Sequence, residues 1–168
     1  GQVAVSVPAD SAQDAVGNGN VMSNQLTRQY SVPLALVVTK TADTNDGVCD
    51  GDCSLREAIA VATADSTITF APLFNSPQTI SLSLGDLLIE RNLTITGTGA
   101  NLLTVSGNNA SRVFRVINTT ASISGLTVSG GNADNGGGVF SFGAQLTIAN
   151  CIVVGNVTSG NAGGIYNI

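Results

Sequence analysis

The sequence predicts an all-β protein: a right-handed parallel β-helix of about four turns with a short capping α-helix near its N-terminus. One supporting observation is a repeat. Three similar segments begin at Val113, Val139 and Ile165, and the aromatic residue after each start recurs every 26 positions. Periods in this range are typical of stacked-repeat folds. The other is composition, since Gly, Val, Ile, Thr, Ser and Asn favour strands and turns over helices.

Length, charge and hydropathy exclude several classes of protein. The 168 residues suit a single domain. A net charge of -5 argues against a nucleic-acid partner, because nucleic-acid binding needs a basic surface. No apolar run reaches the roughly 18 to 20 residues of a membrane-spanning helix, so we expect no membrane span.

Residues 1–35 form the first predicted segment, an N-terminal arm. Val3, Val5 and Val7 alternate with small or polar residues, which indicates one short strand. The stretch that follows, as far as Tyr30, is polar, rich in Gly and Asn, and without a period. Two interpretations stay open, a flexible arm or a strand that pairs with the sheet edge of another subunit.

Residues 36–65 form the second segment, a cysteine-containing loop followed by a helix. Cys49 and Cys53 lie four positions apart between Asp and Gly residues, and we interpret them as a local disulfide of a secreted protein. A zinc site is the weaker alternative, because two thiols without His provide half of the ligands.

The helix is predicted over residues 55–64. Ser54 and Glu57 have the spacing of a capping box, in which each side chain accepts a hydrogen bond from the other residue's amide. Four apolar residues then fall on one helical face, and we expect that face to cover the open end of a stack of strands. They are Leu55, Ala58, Ile59 and Ala62.

The loop before the helix has the composition of a cation site. Several carboxylate and amide oxygens lie within ten residues, which suits calcium. The alternative is a solvated turn closed by the disulfide, and no other cofactor is expected. The candidate ligands are Asp43, Asn45, Asp46, Asp50 and Asp52.

Residues 66–168 form the third segment, the β-helix repeats, with three strands in each turn. Equivalent residues of successive turns should stack in inward columns. Within the first turn we expect Leu87 and Ile89 to point inward, and residues 71–78 to loop out. The Gly-Asn corners predict an Asn ladder at Asn108, Asn132 and Asn156. The predicted columns are Phe114, Phe140 and Tyr166; Leu103, Leu126 and Cys151; and Val105, Val128 and Val153.

The repeats do not have the residues of an enzyme. Glycoside hydrolysis needs two carboxylates beside the scissile bond, and the repeats offer only the scattered Asp86, Glu90 and Asp134. Arg112 and Arg115 are candidate bases, but we expect no carboxylates to gather near them. We therefore expect no catalytic activity.

The heptapeptide Cys53–Ile59, preceded by the acidic loop, resembles the motif of the bacterial extracellular CSLREAI domain. In that family the motif precedes a right-handed β-helix with repeats like those of polymorphic outer-membrane proteins and adhesins. The Gly-Gly-Ile165 and Gly-Gly-Val139 pieces are similar to its repeats. The resemblance implies a secreted or cell-surface location and no known catalytic residues.

These observations suggest a structural role. Ile165, Tyr166 and Ile168 lie on a predicted strand that exposes unpaired backbone groups. Either the chain is a truncated fragment, or this open end pairs with another chain. We expect a non-enzymatic extracellular protein that assembles head to tail through its β-helix ends into a surface filament. The strand of Val3, Val5 and Val7 would assist. The alternative is a surface adhesin whose wall binds a glycan or another cell-surface partner.

Overall fold

The computed structural model describes residues 2–19, 26–29 and 32–168, with the backbone alone at positions 2, 3 and 26–29. The chain divides into two compact units, Gly1–Val32 and Pro33–Ile168. Each unit is described separately below.

The first unit contains an antiparallel strand pair. Strand β1 (Gln2–Val5) pairs with β2 (Leu26–Gln29). The sequence predicts the first strand but not the second, because Leu26–Gln29 lies in a stretch without alternation. Val5 and Val7 are exposed, and the side chain of Val3 lies outside the described residues. Donation of β1 to another subunit would first require the β1–β2 pairing to open.

The second unit confirms the predicted fold class. Its strands form parallel sheets arranged as a β-solenoid of about four turns, with one short helix. Sheet I has five strands, ordered β3 (Ala35–Val38), β4 (Ser66–Phe70), β7 (Leu93–Thr96), β10 (Thr120–Ser124) and β14 (Gln145–Ala149). Sheet II has β5 (Gln78–Ser81), β8 (Leu103–Ser106), β11 (Thr127–Ser129) and β15 (Ile152–Val154). Sheet III has β6 (Leu87–Ile89), β9 (Phe114–Ile117), β13 (Val139–Phe142) and β17 (Ile165–Asn167).

Three short elements complete the unit. A two-stranded parallel pair joins β12 (Asn132–Ala133) to β16 (Val157–Thr158). Helix α1 (Leu55–Val61) ends three residues before its predicted end, because the backbone of Ala62 is no longer helical. A 3-10 turn over Pro72–Asn75 places Phe74 in the core, with its ring 5.1 Å from that of Phe70. Residues 71–78 therefore do more than loop out, since they fill part of the first turn.

Most of the predicted inward columns are confirmed. Val128 pairs with Val105 on one side and with Val153 on the other. The same register places Leu126 between Leu103 and Cys151. Leu87 and Ile89 are buried, as predicted from their one-residue shift.

The predicted column of Phe114, Phe140 and Tyr166 is wrong. Val139, 25 positions after Phe114, is the residue that stacks on it, and Ile165 stacks on Val139. Phe140 and Tyr166 lie beside each other on the outer surface, next to Arg115. In this turn the stacked residues Phe114 and Val139 are 25 positions apart, whereas the predicted spacing is 26.

The cause lies in the glycine corner before β13. The amides of Val113 and Phe114 donate to the carbonyls of Gly137 and Gly138, which fixes the register of the next strand. A Cβ at Gly137 would clash with the carbonyl oxygen of Val157 on the next coil. Only a residue without a Cβ allows this close approach of the two backbones.

The predicted Asn ladder at Asn108, Asn132 and Asn156 is also wrong. The side chain of Asn156 forms hydrogen bonds with the backbone instead. It accepts from the Gly131 amide at 2.8 Å and donates to the Val128 carbonyl at 3.0 Å. A hydrogen bond between side-chain amides of successive coils occurs elsewhere: Asn161 Nδ2 donates to Asn135 Oδ1 at 2.9 Å.

Candidate functional site: the capped end and the uncovered coil

One end of the solenoid is closed by helix α1, which lies against β3 and β6. The predicted capping box is confirmed. The Glu57 amide donates to Ser54 Oγ at 3.1 Å, and the Ser54 amide donates to Glu57 Oε2 at 2.7 Å. Leu55, Ala58 and Ile59 are buried, so the apolar face of the helix covers the first coil as predicted.

Glu57 is a fully buried carboxylate with several donors. Its Oε1 accepts from the Thr44 hydroxyl at 2.7 Å and from the Asp46 amide at 3.3 Å, while Lys40 Nζ lies 3.6 Å from Oε2. Burial alone would raise the pKa of Glu57, but the hydrogen bonds outweigh it and lower the pKa to about 2. The group therefore stays ionised and fastens the acidic loop to the helix.

Asp43 and Arg56 form a second fastening between loop, helix and first coil. Arg56 Nε and Nη2 donate to the two Asp43 oxygens at 2.7 and 3.0 Å. Asp43 Oδ2 also accepts from the amides of Ser83 and Leu84. Burial opposes ionisation of Asp43, yet the Arg56 bond and these amides lower its pKa. Arg56 completes the clamp by donating to the carbonyls of Gly85 and Asp86.

The predicted calcium ligands are not brought together. Asp43 is occupied by Arg56, and Asp52 forms an ion pair with Lys40 at 3.1 Å. Asp46 and Asp50 each accept a local backbone amide. Asn45 lies in a separate depression beside Arg56 and Asp86. In the part of the chain that the structure describes, no group of three or more His, Cys, Asp or Glu side chains could hold a metal ion. Calcium binding at this loop stays a prediction, without support from the arrangement.

The Cys49–Cys53 disulfide is present and closes the same loop. Behind it, the Cys53 amide donates to Thr39 Oγ1 at 2.8 Å, which joins the loop to the end of β3. Every residue of the Cys53–Glu57 run therefore has a structural contact at this end. The motif builds a cap.

At the opposite end of the described residues, the coil that contains β14, β15 and β17 is more exposed. Strands β14, β15 and β17 are the edges of their sheets. A depression of about 390 Å³ lies there, lined by Ala144, Leu146, Ile148, Ile165 and Asn167. Ile165 continues the inward column of Phe114 and Val139, yet it is 42% exposed. We call the surface lined by these five residues, at the edges of β14, β15 and β17, the uncovered coil.

Other inward residues near the uncovered coil also differ in burial or hydrogen bonding from those of earlier coils. Cys151 is a free cysteine that is only half-buried, although its column partner Leu126 is fully buried. Ser141 is buried and its Oγ has no hydrogen-bond partner. Apolar burial therefore weakens toward this end. Of the predicted assembly residues, Ile165 points into the uncovered coil, while Tyr166 and Ile168 lie on the outer surface.

The outer wall of sheet III contains an ion cluster that the sequence did not reveal. Asp86 Oδ2 lies 3.3 Å from Arg112 Nη1 and 2.9 Å from Arg115 Nε. The expectation that no carboxylate lies near these arginines is therefore wrong, because the coils bring together positions 26 and 29 residues apart. The Arg112 guanidinium also lies 4.9 Å from the Phe140 ring centre, and the Tyr166 ring lies 6.0 Å beyond it.

Comparison with known proteins gives no relative: no family model, curated protein or solved structure matches the chain. None of the helices in the described ranges has both the length and the apolar character needed to cross a bilayer.

Proposed function

We propose that the protein is a non-enzymatic structural module that associates with further copies of itself through the uncovered coil. The supporting observation is that the inward apolar residues there are not buried, since Leu146 and Ile148 are half-buried and Ile165 is exposed. A coil of this type buries its inward side chains and pairs its backbone only when another coil stacks on it. The exposed strand edges can pair with any coil that has the same inward pattern. In this proposal a second copy of the chain supplies that coil.

The outer wall supports the non-enzymatic part of the proposal. Asp86 lies between two arginines, while Glu90 and Asp134 are exposed at separate positions. A hydrolase of the glycosidase type needs two carboxylates that face one bond. The described wall offers no such pair.

Ile165→Lys tests the proposal by placing a charge in the uncovered coil. Sedimentation of the 168-residue chain over a range of concentrations should show association for the wild type and monomers for the variant. Val37→Lys is the matched control, since Val37 is similarly exposed, at 44%, but points outward on β3. The control should associate like the wild type. A wild-type chain that stays monomeric at high concentration would refute the proposal.

We also propose that the module is secreted and displayed at a bacterial cell surface. The Cys49–Cys53 disulfide supports this location, because such bonds persist in oxidising compartments. The resemblance of Cys53–Ile59 to the CSLREAI motif points the same way. Extraction of the native protein into an alkylating reagent should leave Cys49 and Cys53 unmodified. Alkylation of both would contradict the proposed location.

Glycan binding is a second candidate function. It is favoured by the outward position of Phe140 and Tyr166, and by Phe142, which is 48% exposed. Aromatic side chains on a surface are frequent contact points for ligands. Titration with soluble neutral glucans should then show binding that Phe142→Ser weakens, and binding unaffected by this substitution would exclude the site.

A further inference from the structure

The outer face of sheet III combines aromatic and aliphatic side chains with a single charge. Arg115 is the one charged residue on strands β6, β9, β13 and β17. Across the rungs it lies between Leu88 and Phe140, and Phe142, which is 48% exposed, is two residues further along β13. We call this surface the aromatic wall, and its outward residues, all at least partly exposed, are Leu88, Arg115, Ile117, Phe140, Phe142 and Tyr166. Contiguous exposed apolar surface of this kind is frequently a contact site.

The positive charge of Arg115 is only partly balanced. Asp86 is the carboxylate that faces it, at 2.9 Å, but Arg112 lies 3.3 Å from the same carboxylate. Two guanidiniums that share one carboxylate leave one positive charge in excess. Arg112 is 16% exposed and donates to the carbonyls of Asn135 and Gly136, whereas the side chain of Arg115 is 41% exposed. The excess charge is therefore accessible at Arg115.

Other carboxylates near sheet III do not lie on the aromatic wall. Glu90 follows β6 and is exposed, but the next residue is the equally exposed cation Arg91. Asp134 directly follows β12, outside sheet III, and its carboxylate accepts a hydrogen bond from the Ser159 hydroxyl at 3.1 Å. The charge of the aromatic wall therefore complements a negatively charged ligand.

The spacing between Arg115 and Phe142 suits a sugar ring. The two residues are one rung apart, about 4.8 Å, and two positions apart along the strand, roughly 6.6 Å. Arg115 Nη1 has no hydrogen-bond partner among the described residues, and a guanidinium binds a carboxylate through paired donors. An exposed phenyl ring offers an apolar surface to the C–H groups of a pyranose. A uronic acid, which is a sugar ring with a carboxylate, satisfies both residues at once.

We propose that the aromatic wall binds an acidic polysaccharide, with a uronate carboxylate on Arg115 and its sugar ring against Phe142. This inference rests on the glycan-binding candidate function and specifies the charge class of the glycan. It uses the lateral surface of the coils and is independent of self-association through the uncovered coil.

Isothermal titration calorimetry tests the charge class with two matched probes, a linear glucuronate oligosaccharide and its methyl ester. The ester has the same rings without the charge. The acid should bind the 168-residue chain about tenfold more tightly at low salt, and added salt should reduce this preference. Equal affinity for acid and ester would overturn the inference and leave glycan binding intact. Binding of neither probe would refute glycan binding itself.

Polyglutamate tests whether the sugar ring matters, because it is an acidic polymer without sugars. It should bind more weakly than the glucuronate oligosaccharide. Equal binding would show that charge alone is recognised, and it would also overturn the inference.

Variants locate the contact on the aromatic wall. Arg115→Gln should lower the affinity for the acid to that for the ester, while Arg115→Lys, which keeps the charge without the fork, should retain part of the preference. Phe142→Ser should weaken both probes by the same factor. Arg91→Gln is the matched control, since Arg91 is an exposed arginine off the wall, and it should keep the full preference. A folded Arg115→Gln chain that still prefers the acid tenfold would exclude this site.

Discussion

At the scale of single residues, the cap depends most on Glu57. Its carboxylate is out of contact with water, and it is held by three donors, namely the Thr44 hydroxyl, the Asp46 amide and the Ser54 amide. A buried charge without these donors would be strongly unfavourable. Glu57 therefore stabilises the cap only while it is ionised, so the stability of the cap depends on pH.

Glu57→Gln should destabilise the fold in a pH-dependent manner. The folded pKa of about 2 lies below the ordinary value of 4.5, so the ionised group stabilises the fold above pH 4.5. That contribution is lost as pH falls from about 4.5 through 2. Urea unfolding at pH 7 and pH 3 should show a difference between wild type and variant that shrinks at pH 3.

Glu90→Gln is the control for Glu57→Gln, because Glu90 is exposed. It should change the free energy of unfolding by less than about 0.5 kcal/mol at either pH. A Glu57→Gln effect of equal size at pH 7 and pH 3 would show that packing, not ionisation, is responsible.

At the scale of elements, helix α1 is joined to the first coil by the side chain of Arg56. Its planar guanidinium uses three nitrogens, for Asp43 and for the carbonyls of Gly85 and Asp86. Only arginine has this fork of donors. The helix itself is seven residues long, too short to be stable alone, so these contacts and the buried face hold it in place.

Arg56→Lys should therefore destabilise the protein by about 2 to 4 kcal/mol, since it leaves Asp43 and two carbonyls with fewer donors. Arg91→Lys is the matched control. Arg91 contacts the carbonyls of Ala60 and Ala62 through the single nitrogen Nη1, which an ammonium can replace. Thermal unfolding of both variants checks this, and equal losses would refute the special role of the fork.

The cap also shows what a sequence can and cannot reveal. Ser54 and Glu57 are three positions apart, so the capping box was predictable from local spacing. The partners of Asp43 were not, because Ser83 and Leu84 are about forty positions away and are brought near only by the coil. The sequence alone therefore predicts a cation site at the acidic loop, although its carboxylates are used by Arg56, Lys40 and backbone amides.

At the scale of the whole molecule, the register between coils decides which residues form the core. Alternation within a strand predicted the columns through Val105 and Leu103 correctly. It failed at Phe114 because the two candidate registers differ by one residue, and a shift of one exchanges the inner and outer faces. The triple glycine at 136–138 could not settle the choice, since its effect depends on backbone contacts with the next coil.

The register gives opposite expectations for two phenylalanines. Phe114 is fully buried, so Phe114→Ala should lower the free energy of unfolding by about 3 to 5 kcal/mol. Phe140 lies on the outer wall against Arg112 and Tyr166, so Phe140→Ala should cost about 1 kcal/mol. Chemical denaturation compares the two variants directly. If Phe140→Ala were as damaging as Phe114→Ala, both rings would belong to the core. The spacing of 26 between Phe114 and Phe140 would then hold, and the outward pair of Phe140 and Tyr166 would not exist.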